Sequence, residues 1–128
     1  MSAVRLCAFA DEADEAISGQ IRALQENGIG MIELRRVDGK NVTELTCGEM
    51  KELRKRFDDA GIGVWSIGSP IGKVTVSLPF RPHLELFRHT LELANLSGAD
   101  RMRIFSFYME PEQMPEYREE VSFFYHNF

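Results

Sequence analysis

One pattern occurs three times in the sequence and constrains the fold more than any other feature. A helical pattern ends at a glycine, a short turn follows, and an apolar run comes next. The glycines are Gly28, Gly61 and Gly98, which are 33 and then 37 residues apart. Glycine readily adopts the left-handed conformation that a helix needs just beyond its last turn. The apolar runs span residues 31–35, 64–67 and 101–105. The sequence therefore predicts three helix–turn–strand units.

The segments before these glycines have the periodicity and the start signals of amphipathic helices. Thr46 and Glu49 form a capping-box pattern, and Pro82 suits the first turn of the third helix. A further strand pattern opens the chain at about residues 4–10, and a fourth helix is predicted at about residues 115–124. The apolar stripes of the first three helices are Ile17, Ile21 and Leu24; Met50, Leu53, Phe57 and Ala60; and Leu84, Phe87, Leu91 and Ala94.

Strict alternation of strands and helices predicts an α/β fold with a parallel sheet and right-handed crossovers. A (β/α)₈ barrel of about 250 residues divides into eight units of about this length. The 128 residues contain four such strands. We therefore predict that residues 1–121 form the first half of a TIM-type barrel, a half barrel of four strands.

The second strand alternates in a way that suits a barrel. Ile32 and Leu34 lie on one side of the strand, which would pack under the helices. Glu33 and Arg35 lie on the other side. In a barrel the polar pair would point inward near the carboxyl ends of the strands, where the active sites of this fold lie. A structural ion pair inside the barrel is the alternative interpretation of Glu33 and Arg35.

Further polar residues follow the third and fourth predicted strands. The loop of residues 66–73 carries Ser66, Ser69 and Lys73 among two glycines and a proline, so donors and close backbone approach are combined there. Arg103 and Ser106 occupy the fourth strand end. These groups suit phosphate or hydroxyl oxygens, although the loop could also be a plain loop with an exposed lysine.

Other titratable residues have simpler interpretations. Acidic residues 11–15 precede the first helix, where the helix dipole favours negative charge. The two cysteines and three histidines match no metal-ligand spacing, so we expect no metal site in this chain. The net charge of −5 argues against nucleic acid as a partner. No apolar run approaches the roughly 20 residues of a membrane span, and no signal peptide is present, so we expect a cytoplasmic location.

Three segments together resemble one family. Residues 32–42, residues 66–73 and residues 103–108 resemble the second, third and fourth strand regions of sugar-phosphate isomerase/epimerase proteins, which are xylose-isomerase-like barrels. The segments occur in the right order, and the resemblance covers about residues 5–121.

The resemblance implies an enzyme that moves a proton between neighbouring carbons of a small sugar, polyol or their phosphates. It implies a divalent metal, Mn²⁺, Mg²⁺, Co²⁺ or Zn²⁺, that stabilises an enediolate. The family's metal ligands come from strands five to eight, so they cannot be assigned here, and the catalytic residues stay unknown. The substrate-binding candidates are Glu33, Arg35, Ser66, Ser69, Lys73, Arg103 and Ser106.

The aromatic segment of residues 122–128 is unlike the helix expected after the fourth strand, and a frameshift or early stop is one explanation. Because the half that carries the metal ligands is missing, we expect the chain alone to be inactive. Because a half barrel leaves open sheet edges, a homodimer is a second possibility. The alternatives are a non-catalytic assembly protein and a flavodoxin-like receiver or binding module.

Overall fold

The structure is a computed structural model that describes residues 4–126, with side chains as far as Phe123. The strands are β1 (Cys7–Ala8), β2 (Met31–Leu34), β3 (Arg36–Val37), β4 (Lys40–Asn41), β5 (Gly63–Gly68) and β6 (Met102–Arg103). The helices are α1 (Ile17–Glu26), α2 (Cys47–Ala60), α3 (Phe80–Ser97) and α4 (Met114–His126). Short 3₁₀ helices span Ala10–Glu12, Val42–Glu44 and Pro111–Gln113.

Four of the strands form one parallel sheet in the order β1-β2-β5-β6, which is the order of the chain. Helix α1 connects β1 to β2, α2 connects β2 to β5, and α3 connects β5 to β6. The predicted α/β class with parallel βα repeats is therefore confirmed. Strands β3 and β4 form a separate antiparallel hairpin within the β2–α2 connection.

The helices end and begin where the sequence predicts. Gly28, Gly61 and Gly98 have φ angles of 65°, 73° and 85°, so all three occupy the left-handed region. At the start of α2, the Thr46 side chain accepts a hydrogen bond from the Glu49 backbone, and the Glu49 carboxylate accepts one from the Thr46 backbone. These contacts satisfy amide groups that have no partner within the helix.

The main core lies between the sheet and the first three helices. Ile32 and Leu34 of β2 are buried there with Ile67 of β5, against apolar residues from α1, α2 and α3. On the opposite side of the sheet, Cys7 and Trp65 are exposed. We call this second side, marked by Cys7, Glu33, Gly63 and Trp65, the open face. No helix of residues 4–126 is both long and apolar enough to cross a membrane.

Some elements differ from the predicted ones. The first and fourth strands are two residues long, because only Cys7–Ala8 and Met102–Arg103 pair with their neighbours. After β6 the chain instead bonds to the loop that follows β5, where Phe105 N donates to Ile71 O at 2.7 Å. Helix α4 continues through residue 126 without a break at 122, and residues 127–128 lie outside the described part of the chain.

Candidate functional site

Three candidate residues from neighbouring strands meet on the open face. The hydroxyl of Ser66 donates to Glu33 Oε1 at 2.9 Å, and Arg103 Nη1 lies 3.7 Å from Glu33 Oε2. A shift in register between β2 and β5 makes this possible, because Ile32 pairs with Val64 whereas Glu33 pairs with Ser66. Both carboxylate oxygens of Glu33 therefore have partners.

Arg35 is held by two acids and an aromatic ring from the start of the chain. Its Nε donates to Asp11 Oδ1 at 3.0 Å and its Nη2 donates to Glu12 Oε1 at 3.2 Å. The guanidinium carbon lies 4.0 Å from the centroid of the Phe9 ring. Desolvation disfavours the charged form, but the two acids outweigh it and raise the pKa of Arg35. Asp11 and Glu12 thus bind Arg35, rather than serving the dipole of α1 as predicted.

Gly68 is required where these side chains come together. A Cβ atom at this position would lie 2.6 Å from Arg35 Cγ and 3.5 Å from Arg103 Nη2. Because a contact of 2.6 Å is too short for two carbon atoms, any other residue would push Arg35 aside. The glycine at the end of β5 therefore allows both arginine side chains to lie across the strand end.

A cleft of about 280 Å³ opens beside Gly68 at the carboxyl ends of β2, β5 and β6. Its lining includes four basic residues, Arg35, Arg36, Lys73 and Arg103, and one acid, Asp11. We call it the strand-end cleft. The excess of positive charge suits an anionic ligand, because cations near low-dielectric walls concentrate anions.

Two of these cations also lie near an aromatic ring. Lys73 Nζ is 5.6 Å and the Arg103 guanidinium 5.1 Å from the centroid of Phe105. The Nε atom of Arg103 is buried and has no hydrogen-bond partner among the described residues. A buried donor without a partner is costly, so a small movement of this side chain toward a ligand oxygen would be favourable.

The two other serine candidates have different surroundings. Ser69 is buried, and its hydroxyl donates to Arg103 O at 2.6 Å and accepts from Ile71 N at 3.3 Å. Its contacts therefore hold the loop against β6. Ser106 is exposed in the segment after β6 and does not line the strand-end cleft.

His83 does not line the cleft but supports its loop, a role that the sequence did not indicate. Its Nε2 accepts a hydrogen bond from Gly72 N at 2.9 Å, which ties the loop that carries Lys73 to helix α3. Desolvation lowers the pKa of His83, which favours the neutral ring that this hydrogen bond needs. A hydrogen bond from the preceding loop to a half-buried histidine leaves no local signal in the sequence.

The strand-end cleft does not fit the divalent metal that the family resemblance implies. Its carboxylate, Asp11, already binds Arg35, and the nearby Glu33 binds Ser66 and Arg103. Four basic side chains would also repel a cation. We therefore derive no step that uses a metal at this cleft.

Comparisons of the chain with protein-family models, with curated proteins and with solved structures found no match. The fold and the site themselves define the class: a parallel α/β protein with its first three helices on one face of the sheet and a basic cleft at the strand ends.

Proposed function

We propose that this chain supplies four βα units of a (β/α)₈ barrel of the sugar-phosphate isomerase/epimerase type. In this proposal, the strand-end cleft binds the phosphate group of a small sugar or polyol phosphate. The observation that carries the proposal is the grouping of Arg35, Lys73 and Arg103 around Gly68, at the carboxyl ends of parallel strands. Ligands of barrel enzymes bind at that end of the strands.

The order of the strands favours a barrel over a flavodoxin-like module. A flavodoxin-like sheet has the order 2-1-3-4-5, which places the first strand inside the sheet and helices on both faces. In this chain β1 is an edge strand, and the first three helices contribute to one core on one side of the sheet. Strand β5 ends at Gly68 beside Ser66, where a receiver would need an acid.

The residues of the cleft and the neighbouring Glu33 suggest a division of roles. Lys73 and Arg103 would donate hydrogen bonds to phosphate oxygens. Such hydrogen bonds are strongest when donor and acceptor are both charged. Arg35 would add a third positive charge in an orientation fixed by Asp11. Glu33 would accept from a sugar hydroxyl after exchanging its contact with Ser66. In this proposal the chain binds and orients the substrate.

The resemblance assigns the ligands of the divalent metal to four further strands. The edge strands β1 and β6 are where such strands would join the sheet. A second copy of this chain would supply four more strands of the same kind, and the proposal includes such a homodimer. Turnover would then require an assembled barrel.

The binding step can be tested by calorimetric titration with ketose phosphates, with the corresponding free ketoses and with inorganic phosphate. We expect ketose phosphates and inorganic phosphate to bind and free ketoses to bind far more weakly. The variants R103Q and K73Q should each weaken binding about tenfold to a hundredfold, because a charge-assisted hydrogen bond contributes about 1.5–3 kcal/mol.

The matched controls are R22Q and K55Q, which remove the same charges from exposed positions on α1 and α2. They should leave the affinity unchanged. Equal losses in the control and cleft variants would contradict a phosphate site at the cleft, as would equal affinity for ketoses with and without phosphate.

The isomerase assignment needs its own assay. The purified chain would be incubated with ketoses and their phosphates and with Mn²⁺, Mg²⁺, Co²⁺ or Zn²⁺, while light scattering gives its oligomeric state. Turnover that a chelator abolishes, together with a dimer, would support a barrel assembled from two copies. A folded monomer that binds phosphate without turnover would limit the function of this chain to binding.

A further inference from the structure

A cluster of metal-ligating side chains lies on the helices, away from the strand-end cleft. Cys47 is the first residue of α2, whereas His89 and Glu92 lie one turn apart on α3. One ligand atom from each residue lies within 4.8 Å of the other two. None of the three lines the strand-end cleft. The fold has therefore brought together a thiol, an imidazole and a carboxylate from separate parts of the chain.

The hydrogen bond of His89 leaves its second ring nitrogen available as a metal ligand. Its Nε2 lies 2.8 Å from the backbone oxygen of Leu45, so in the neutral ring Nε2 donates and Nδ1 keeps its lone pair. Metal-binding histidines commonly donate their other ring nitrogen to a backbone carbonyl, which fixes both the tautomer and the plane of the ring. The backbone just before α2 thus orients a side chain of α3.

The geometry requires only a small adjustment around an ion. In a tetrahedral zinc site with bonds of about 2.0–2.3 Å, ligand atoms are separated by roughly 3.5 Å. Cys47 and His89 are half-buried and Glu92 is exposed, so side-chain rotation can close the remaining distance. Thiolate, imidazole and carboxylate are together the usual ligands of Zn²⁺.

We propose that Cys47, His89 and Glu92 form a zinc site that joins the start of α2 to α3. The three protein ligands leave a fourth coordination position for water. Bound zinc would clamp two helices that already pack against each other, so the holoprotein is more stable than the metal-free chain. The site is independent of the proposed sugar-phosphate function.

Titration of the reduced, metal-free chain with Co²⁺ tests the site, because thiolate coordination gives a charge-transfer band and tetrahedral geometry gives strong visible bands. We expect one Co²⁺ per chain, displaced by Zn²⁺, and a rise in melting temperature with Zn²⁺. C47S should abolish the charge-transfer band, and H89Q and E92Q should each weaken Co²⁺ binding at least about tenfold.

C7S is the matched control, because Cys7 is an exposed cysteine on β1, and it should leave the titration unchanged. Circular dichroism of each metal-free variant checks folding. If H89Q unfolds after losing its contact with Leu45, E92Q decides, because that side chain is exposed. The proposal is overturned by a chain that binds no Co²⁺, by a charge-transfer band that survives C47S, or by folded E92Q with unchanged affinity.

Discussion

Replacing Gly68 with alanine should destabilise the protein through one neighbour, Arg35. The added Cβ would lie 2.6 Å from Arg35 Cγ, so the arginine must leave its position. It would lose its ion pair with Asp11, whose partly exposed geometry is consistent with about 0.5–1 kcal/mol. It would also lose its stacking on Phe9, which contributes about 0.5–1 kcal/mol. The loss of these two contacts should therefore lower the free energy of unfolding by about 1–2 kcal/mol.

The control for this change is Gly30→Ala. An alanine Cβ at Gly30 meets no atom within 4 Å, and the residue does not have a positive φ. Such a substitution stabilises by about 0.4–1 kcal/mol, because it restricts the unfolded chain. We therefore expect the free energy of unfolding of G68A to lie about 1–2 kcal/mol below that of G30A.

Urea unfolding followed by the fluorescence of Trp65, the single tryptophan, measures both variants. A second pair of proteins isolates the cause. In an Arg35→Ala background no arginine side chain is left to displace, so Gly68→Ala and Gly30→Ala should have the same free energy of unfolding. Equal stability of the two single variants would refute the reasoning. A lower stability of Gly68→Ala than of Gly30→Ala in the Arg35→Ala background would also refute it.

Three further predictions concern the helices and the loop. Gly61→Ala should lower the free energy of unfolding by about 1–2 kcal/mol in urea, because φ is 73° at this helix end. Thr46→Ala should cost about 1 kcal/mol by thermal melting, whereas Thr46→Ser should keep the cap. Burial lowers the pKa of His83 from its ordinary 6.5, so as pH falls through that value the unfolded chain takes up a proton that the folded chain does not. Stability should therefore fall from about pH 7 to pH 5, and less steeply in His83→Gln. Equal slopes would contradict a half-buried neutral ring that accepts from Gly72.

The sequence predicts those parts of the fold that depend on neighbouring residues. Gly28 and Gly98 end their helices as expected, because the left-handed conformation is a property of the residue itself. Ile32 and Leu34 are buried and Glu33 lies on the opposite side, because strand parity follows from local geometry. These signals require no knowledge of the rest of the chain.

Features that depend on distant partners were missed or assigned differently. The shift of register that sets Ser66 against Glu33 arises between two strands, and no residue type marks it. The sequence predicts Ser69 as a ligand contact, and it gives no sign that the hydroxyl also donates to the backbone of β6. The turn at Asp38 and Gly39 could have been found, since this pair is typical of tight hairpins and both residues have positive φ.

The agreement between strand order and chain order has a consequence for synthesis on the ribosome. Each strand of the sheet pairs with the strand made just before it, as Met31 does with Cys7 and Met102 with Ile67. The sheet can therefore grow by one strand at a time as the chain emerges, without waiting for distant segments. During translation the latest strand is one exposed edge and β1 is the other, so protection by chaperones would be needed at these two edges and not within the sheet.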